Sequence, residues 1–75
     1  MEENVKKIGS WVKKLRKEMG ITQESLALAS GTGLRFISNL ENGKPTCQID
    51  KVLQVLSALR IGITLETSEG KTLKL

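Results

Sequence analysis

Residues 22–43, TQESLALASGTGLRFISNLENG, decide the fold, because they read as two short helices parted by a glycine-containing turn. Thr22 stands just before the first helix, where its hydroxyl can accept from the free N–H groups of the opening turn. Glu24 places an anion in that turn, on the side the helix dipole favours. Ile21 ahead of the cap and Leu26 one turn in have the spacing of a hydrophobic staple. The apolar run Leu26, Ala27, Leu28, Ala29 stops at Ser30-Gly31-Thr32-Gly33, since closely spaced glycines do not comfortably continue a helix. A second helix then starts at Gly33 or Leu34, turns Phe36, Ile37 and Leu40 towards a core, and ends at Asn42-Gly43. There Gly43 can take the left-handed conformation that closes a helix.

Two helices held at an angle by such a turn form the helix-turn-helix pattern, a shape suited to laying one helix in a DNA major groove. The spacing of Thr22-Gln23, Leu26-Ala27, Gly31, Ile37-Ser38 and Leu40-Glu41-Asn42-Gly43 resembles the Xre family of phage-repressor and Cro-like DNA-binding domains, over roughly residues 8–59. The resemblance implies a mainly α, lambda-repressor-like domain of four to five helices, with a recognition helix from Gly33 to Glu41. Gly33, Leu34, Arg35 and Ser38 stand at the positions that face bases in that family. It further implies a partly buried, structural ion pair between Arg16 and Glu41. Gly33 departs from the capping serine or polar reader frequent in the family, and Leu34 from a glutamine that reads adenine.

Length and composition set the outer bounds. With 75 residues there is room for one small core, because a chain this short hides only about 60% of its unfolded surface. A partner chain is therefore expected to help. A formal charge of +4 and a pI near 9.5 favour a polyanionic partner, although many proteins that touch no nucleic acid carry as much. One cysteine and no histidine exclude a disulfide framework and the usual zinc ligand sets. The start, MEENVKKIGSWVKK, lacks the apolar core of a signal peptide, and the chain reads as soluble, cytoplasmic and free of membrane spans. An enzyme is not expected: no nucleophile stands at motif spacing from a base, no phosphate loop follows a strand, and no cofactor or small-molecule substrate is implied.

Upstream of the central unit, Asn4 to Met19 reads as a helix ended by Gly20, with Val5, Ile8, Val12, Leu15 and Met19 as its apolar stripe. Trp11 beside the stripe reads as core or dimer packing, or else as a contact shelf for a partner. Lys6, Lys7, Lys13, Lys14 and Lys17 form either a solvated face or a set of phosphate contacts. Downstream, Pro45 breaks the chain and Thr46 can cap a last helix of about Gln48 to Leu59, whose apolar face carries Ile49, Val52, Leu53, Val55, Leu56 and Leu59. Cys47 reads as small filler, or as a thiol activated near a helix start.

From Ile61 the period changes to two. Ile61, Ile63, Leu65 and Thr67 alternate with Gly62, Thr64 and Glu66, and Lys71 to Leu75 follow a short loop. A three-residue loop, Ser68-Glu69-Gly70, sets Leu65 opposite Leu73 and Ile63 opposite Leu75, whereas a two-residue loop sets Leu65 against Lys74. The apolar match selects the longer loop. Residues 1–60 thus read as the helix-turn-helix domain and 61–75 as a strand or hairpin. Because a lone hairpin is marginal in water, pairing across a homodimer through Ile61, Ile63, Leu65 and Leu73 is expected; a frayed tail is the alternative.

Within the recognition helix Arg35 can donate twice to guanine O6 and N7, or can instead reach a phosphate. Leu34 can meet a thymine methyl or merely cover the turn. Ser38 can reach a base or phosphate, Gln23 a phosphate, and Asn39, Asn42 and Lys44 the DNA backbone. The Xre-like domain with its alternating tail is also similar to HipB-type antitoxins. That likeness implies a dimeric repressor on a palindromic operator, one that controls its own operon and neutralises a HipA-like kinase toxin. A stand-alone regulator, or a helix-turn-helix fold used only for protein interaction, is the competing reading.

Overall fold

The computed structural model describes residues 2–45 and 48–75. Four helices and a hairpin follow in order: α1 (Glu2–Glu18), α2 (Gln23–Ser30), α3 (Leu34–Glu41), α4 (Ile49–Ala58), β1 (Thr64–Glu66) and β2 (Thr72–Lys74). The expected capping by Thr46 and any role of Cys47 lie outside the described residues.

Local chemistry accounts for the ends of the central helices. Thr22 is extended at the N-cap of α2 and its hydroxyl accepts from the Ser25 N–H at 3.0 Å. Gly31, at φ +70°, ends α2, and the Thr32 N–H returns to the Ala27 carbonyl at 3.0 Å. At the end of α3 Gly43 takes φ +73°, letting the Lys44 N–H reach the Asn39 carbonyl at 2.9 Å. Both positions need a backbone conformation that a side chain would strain.

The core is assembled from all four helices: Val12 of α1, Leu26 and Ala27 of α2, Ile37 and Leu40 of α3, and Val55 and Leu59 at the end of α4. Ile21, in its staple position, packs against this cluster, as do Val52 and Leu56. Here α1 departs from expectation. It runs two residues earlier than predicted, and its buried line is Gly9, Val12 and Arg16 with Val5 half-buried; Ile8 and Met19 are 45% and 51% exposed. The predicted stripe counted only apolar residues. The true line is turned towards a glycine that admits a neighbouring backbone and an arginine that has a buried partner. Phe36 turns towards the core as expected but stays half-buried at its edge, packed against the cluster, and Lys51 Nζ lies 5.9 Å from its ring centroid.

The C-terminal hairpin has the longer-loop register. Leu65 pairs with Leu73, the Leu75 N–H reaches the Ile63 carbonyl at 2.9 Å, and Gly70 sits at φ +89°. Both strands are exposed along their length, with Leu65 and Leu73 more than half open to solvent. The molecule measures 40 × 23 × 21 Å.

Candidate nucleic-acid interface

Glu41 closes α3 as a buried acid, which demands partners. Burial by itself raises its carboxyl pKa, yet hydrogen bonds from Arg16 and Gln23 and the charges of Arg16 and Lys13 outweigh that, leaving it below the ordinary carboxylate value. Arg16 Nε donates to Oε2 at 2.6 Å and Nη2 to Oε1 at 3.1 Å, the planar fork that suits a carboxylate. Arg16 Nη1 also donates to the Ile21 carbonyl at 2.8 Å. The hydrogen bond to Glu41 raises the Arg16 pKa against the opposing effect of burial, so the pair stays ionised. This bidentate contact ties α1 to the far end of α3.

Gln23 joins the same network. Its Nε2 donates to Glu41 Oε1 at 3.0 Å, a contact the sequence reading missed in assigning Gln23 to phosphate alone. One N–H and the carbonyl of its side chain are left for an outside partner. By anchoring α2 to the end of α3, Gln23 helps fix the angle between the two helices.

With Ile37, Leu40 and Glu41 turned inward, the outer face of α3 is committed to solvent. Leu34, Arg35, Ser38 and Asn39 share that face and line a shallow groove together with Gln23 and Lys44. Leu34 and Arg35 are exposed, while Ser38 and Asn39 are half-buried. Gly33 is the N-cap of α3, extended at φ −111°, with no side-chain hydrogen bond to the helix. Asn42 sits exposed at the C-cap, outside this groove. The groove offers a guanidinium fork, an ammonium, hydroxyl and amide groups on one surface, the donor set that nucleic-acid phosphates and base edges accept.

Two other surfaces bear on the expected partners. Leu53, Ile61, Ile63 and Leu75 line a second groove, between α4 and the hairpin. On the outer side of α1, Trp11 is 52% exposed beside Ile8, Lys7 and Lys14 and forms no part of the core. No helix among the described residues is long and apolar enough to cross a membrane, and none of their His, Cys, Asp and Glu residues gather into a metal-binding group.

Against known proteins, residues 12–65 match the helix-turn-helix family model HTH_3. The chain is 53% identical over 58 residues to an uncharacterised HTH-type transcriptional regulator, y4mF, of Sinorhizobium fredii (strain NBRC 101917 / NGR234), covering 77% of this chain and 76% of the relative. Among solved structures it is similar to the restriction-modification controller protein C.AhdI from Aeromonas hydrophila (TM-score 0.71, 28% identity, 80% of this chain and 87% of that one). It is similar also to the controller protein C.Esp1396I (TM-score 0.68, 30% identity, 76% and 73%). With that match spanning most of its length, and with α2 and α3 joined through Gly31 as its two defining helices, the chain belongs to the HTH_3 helix-turn-helix family.

Proposed function

We propose that this chain is a homodimeric, sequence-specific DNA-binding transcriptional repressor whose reading element is α3. The observation that carries the proposal is the groove itself: exposed Leu34 and Arg35 and half-buried Ser38 and Asn39 share one face, flanked by Gln23 and Lys44, on a helix whose opposite face is buried. In this reading Arg35 reads guanine, Leu34 meets a thymine methyl, and Ser38 reaches a base or phosphate. Gln23, Asn39, Asn42 and Lys44 hold the sugar-phosphate backbone, and Gly33, at the N-cap of α3, takes a base-facing position. The dimer forms through the C-terminal hairpin and the Leu53-Ile61-Ile63 surface, setting two copies of α3 about 34 Å apart on a palindrome. The relative's description as a transcriptional regulator supports the reading.

The test is binding to the chain's own upstream DNA and to a scrambled duplex of equal length, across a salt series. A preference of at least about a thousandfold with a steep salt slope is expected of a specific repressor. Equal weak binding to both duplexes replaces the proposal with a protein-interaction module.

For the biological setting we propose an antitoxin of the HipB type, which represses its own operon and neutralises a HipA-like kinase. The exposed apolar hairpin after a helix-turn-helix unit supports it. Likeness to two restriction-modification controllers favours a stand-alone regulator instead. Co-expression with the neighbouring gene separates the two: rescue of growth arrest supports the antitoxin, and absence of any toxic neighbour supports the stand-alone regulator.

A further inference from the structure

α1 and the end of α3 meet backbone to backbone. Gly9 is buried in mid-helix, and a β-carbon there would overlap the Leu40 carbonyl oxygen outright, with the Glu41 carbonyl oxygen and the Gly43 nitrogen each 3.2 Å away. On the other side of the contact, a β-carbon at Gly43 would lie 2.7 Å from Lys6 Cγ and 3.0 Å from Lys6 Cα. Two turns further along α1, Arg16 holds the Glu41 carboxylate. Lys6, Gly9 and Arg16 therefore all bear on the last turn of α3 and the cap that follows it. The first turn, with Leu34 and Arg35, stands open at the other end.

Local preference argues against glycine at this point. Within a helix it is about 1 kcal/mol less favourable than alanine, and Gly9 keeps an ordinary helical backbone with no positive φ. What the missing side chain permits is the close approach. Gly9 and Lys6 also lie outside residues 12–65, so the family match assigns them nothing.

We propose that Gly9, with Gly43 against Lys6, is a positioning element for DNA reading: the depth of this contact sets the tilt of α3 and hence where Arg35 and Ser38 meet the bases. The inference rests on the DNA-binding function proposed above. A methyl group at Gly9 must drive the last turn of α3 away from α1, and the displacement needed is on the order of 1 Å. Hydrogen bonds to base edges tolerate only about half of that. Contacts to flexible, sequence-independent phosphates tolerate more, so specific binding suffers before general affinity does.

The experiment titrates wild type, Gly9→Ala and Leu56→Ala against the chain's own upstream duplex and a scrambled one. All are kept cold, where circular dichroism shows each protein folded. Leu56→Ala lowers stability from α4, away from this contact, and controls for destabilisation alone. The ratio of specific to scrambled affinity is expected to fall at least about tenfold in Gly9→Ala and to hold in Leu56→Ala. A folded Gly9→Ala that keeps the wild-type ratio overturns the inference while leaving the DNA-binding function intact. If Gly9→Ala does not fold, Gly43→Asn takes its place under the same criterion. Asparagine tolerates the left-handed backbone there, and its β-carbon still presses on Lys6. Wild type with no preference between the duplexes removes the DNA-binding function and the inference together.

Discussion

Replacing Glu41 by alanine should strike the fold harder than its position at a helix end suggests. The carboxylate accepts from Arg16 Nε and Nη2 and from Gln23 Nε2, so the substitution strands three donor groups at once. Arg16 keeps its bond to the Ile21 carbonyl, but it remains a charge only 8% exposed with no counter-ion. Removing one partner of a buried pair costs about 3 to 5 kcal/mol. The whole stability of a 75-residue domain is roughly 4 to 11 kcal/mol, so Glu41→Ala should consume much of it. At about 4 to 8 °C per kcal/mol for a domain of this size, the melting temperature should fall by at least about 12 °C. Thermal melts followed by circular dichroism measure this directly. The double variant Arg16→Met/Glu41→Leu provides the complement: with both charges gone and apolar volume restored, most of the lost stability should return. A Glu41→Ala protein melting within about 4 °C of wild type would refute the claim that this pair is buried and structural.

Four further outcomes follow from the same geometry. Because the Glu41 carboxyl is held below its unfolded value of about 4.3, the stabilisation it gives is complete above that pH and is lost as pH falls through the lower folded value; acid melts should show wild type losing more stability below about pH 4 than Glu41→Gln does. Arg35→Ala should relax base preference at one or two operator positions, whereas Lys44→Ala should weaken binding evenly and lower the salt slope by about 1; a uniform loss with Arg35→Ala reduces it to a backbone contact. Arg60 follows α4 at φ +58°, so Arg60→Gly should relieve left-handed strain and raise stability by about 0.5 to 1 kcal/mol, read from a shift in the urea midpoint with an unchanged slope. In the dimer proposed above, Leu73→Asp puts a charge on the exposed Leu65–Leu73 pair and should convert it to a monomer in light scattering; an intact dimer would move the interface from the hairpin to α4, and a monomeric wild type would remove the dimer.

Wherever a feature depends on neighbours in the chain, its residues state it. Thr22 caps α2 and Gly31 and Gly43 close helices, because each satisfies backbone groups within four or five positions of itself. The Leu65–Leu73 register follows from a period of two and a loop of known length, which is local as well. Arg16 and Glu41, 25 residues apart, became a pair only through likeness to a family; their spacing contains no sign of it.

Tertiary structure decided the rest. Apolar identity chose Ile8 and Met19 as core residues of α1, but the helix is rolled so that Gly9 and Arg16 face inward. Hydrophobic periodicity gives no weight to a glycine valued for its missing β-carbon, or to a charge whose partner arrives from another helix. The mid-helix glycine at position 9 was the one visible hint of a close approach. Gln23 likewise has its role in the fold through Glu41, on an element it meets only after folding. The sequence by itself determined which segments are helices, where they stop and how the hairpin is paired, since those are matters of backbone dihedrals and short-range hydrogen bonds. How closely α1 lies on α3, and which way each helix is rolled, waited for the packed structure, because van der Waals contact between backbones and the pairing of buried charges are settled only when distant segments share one core.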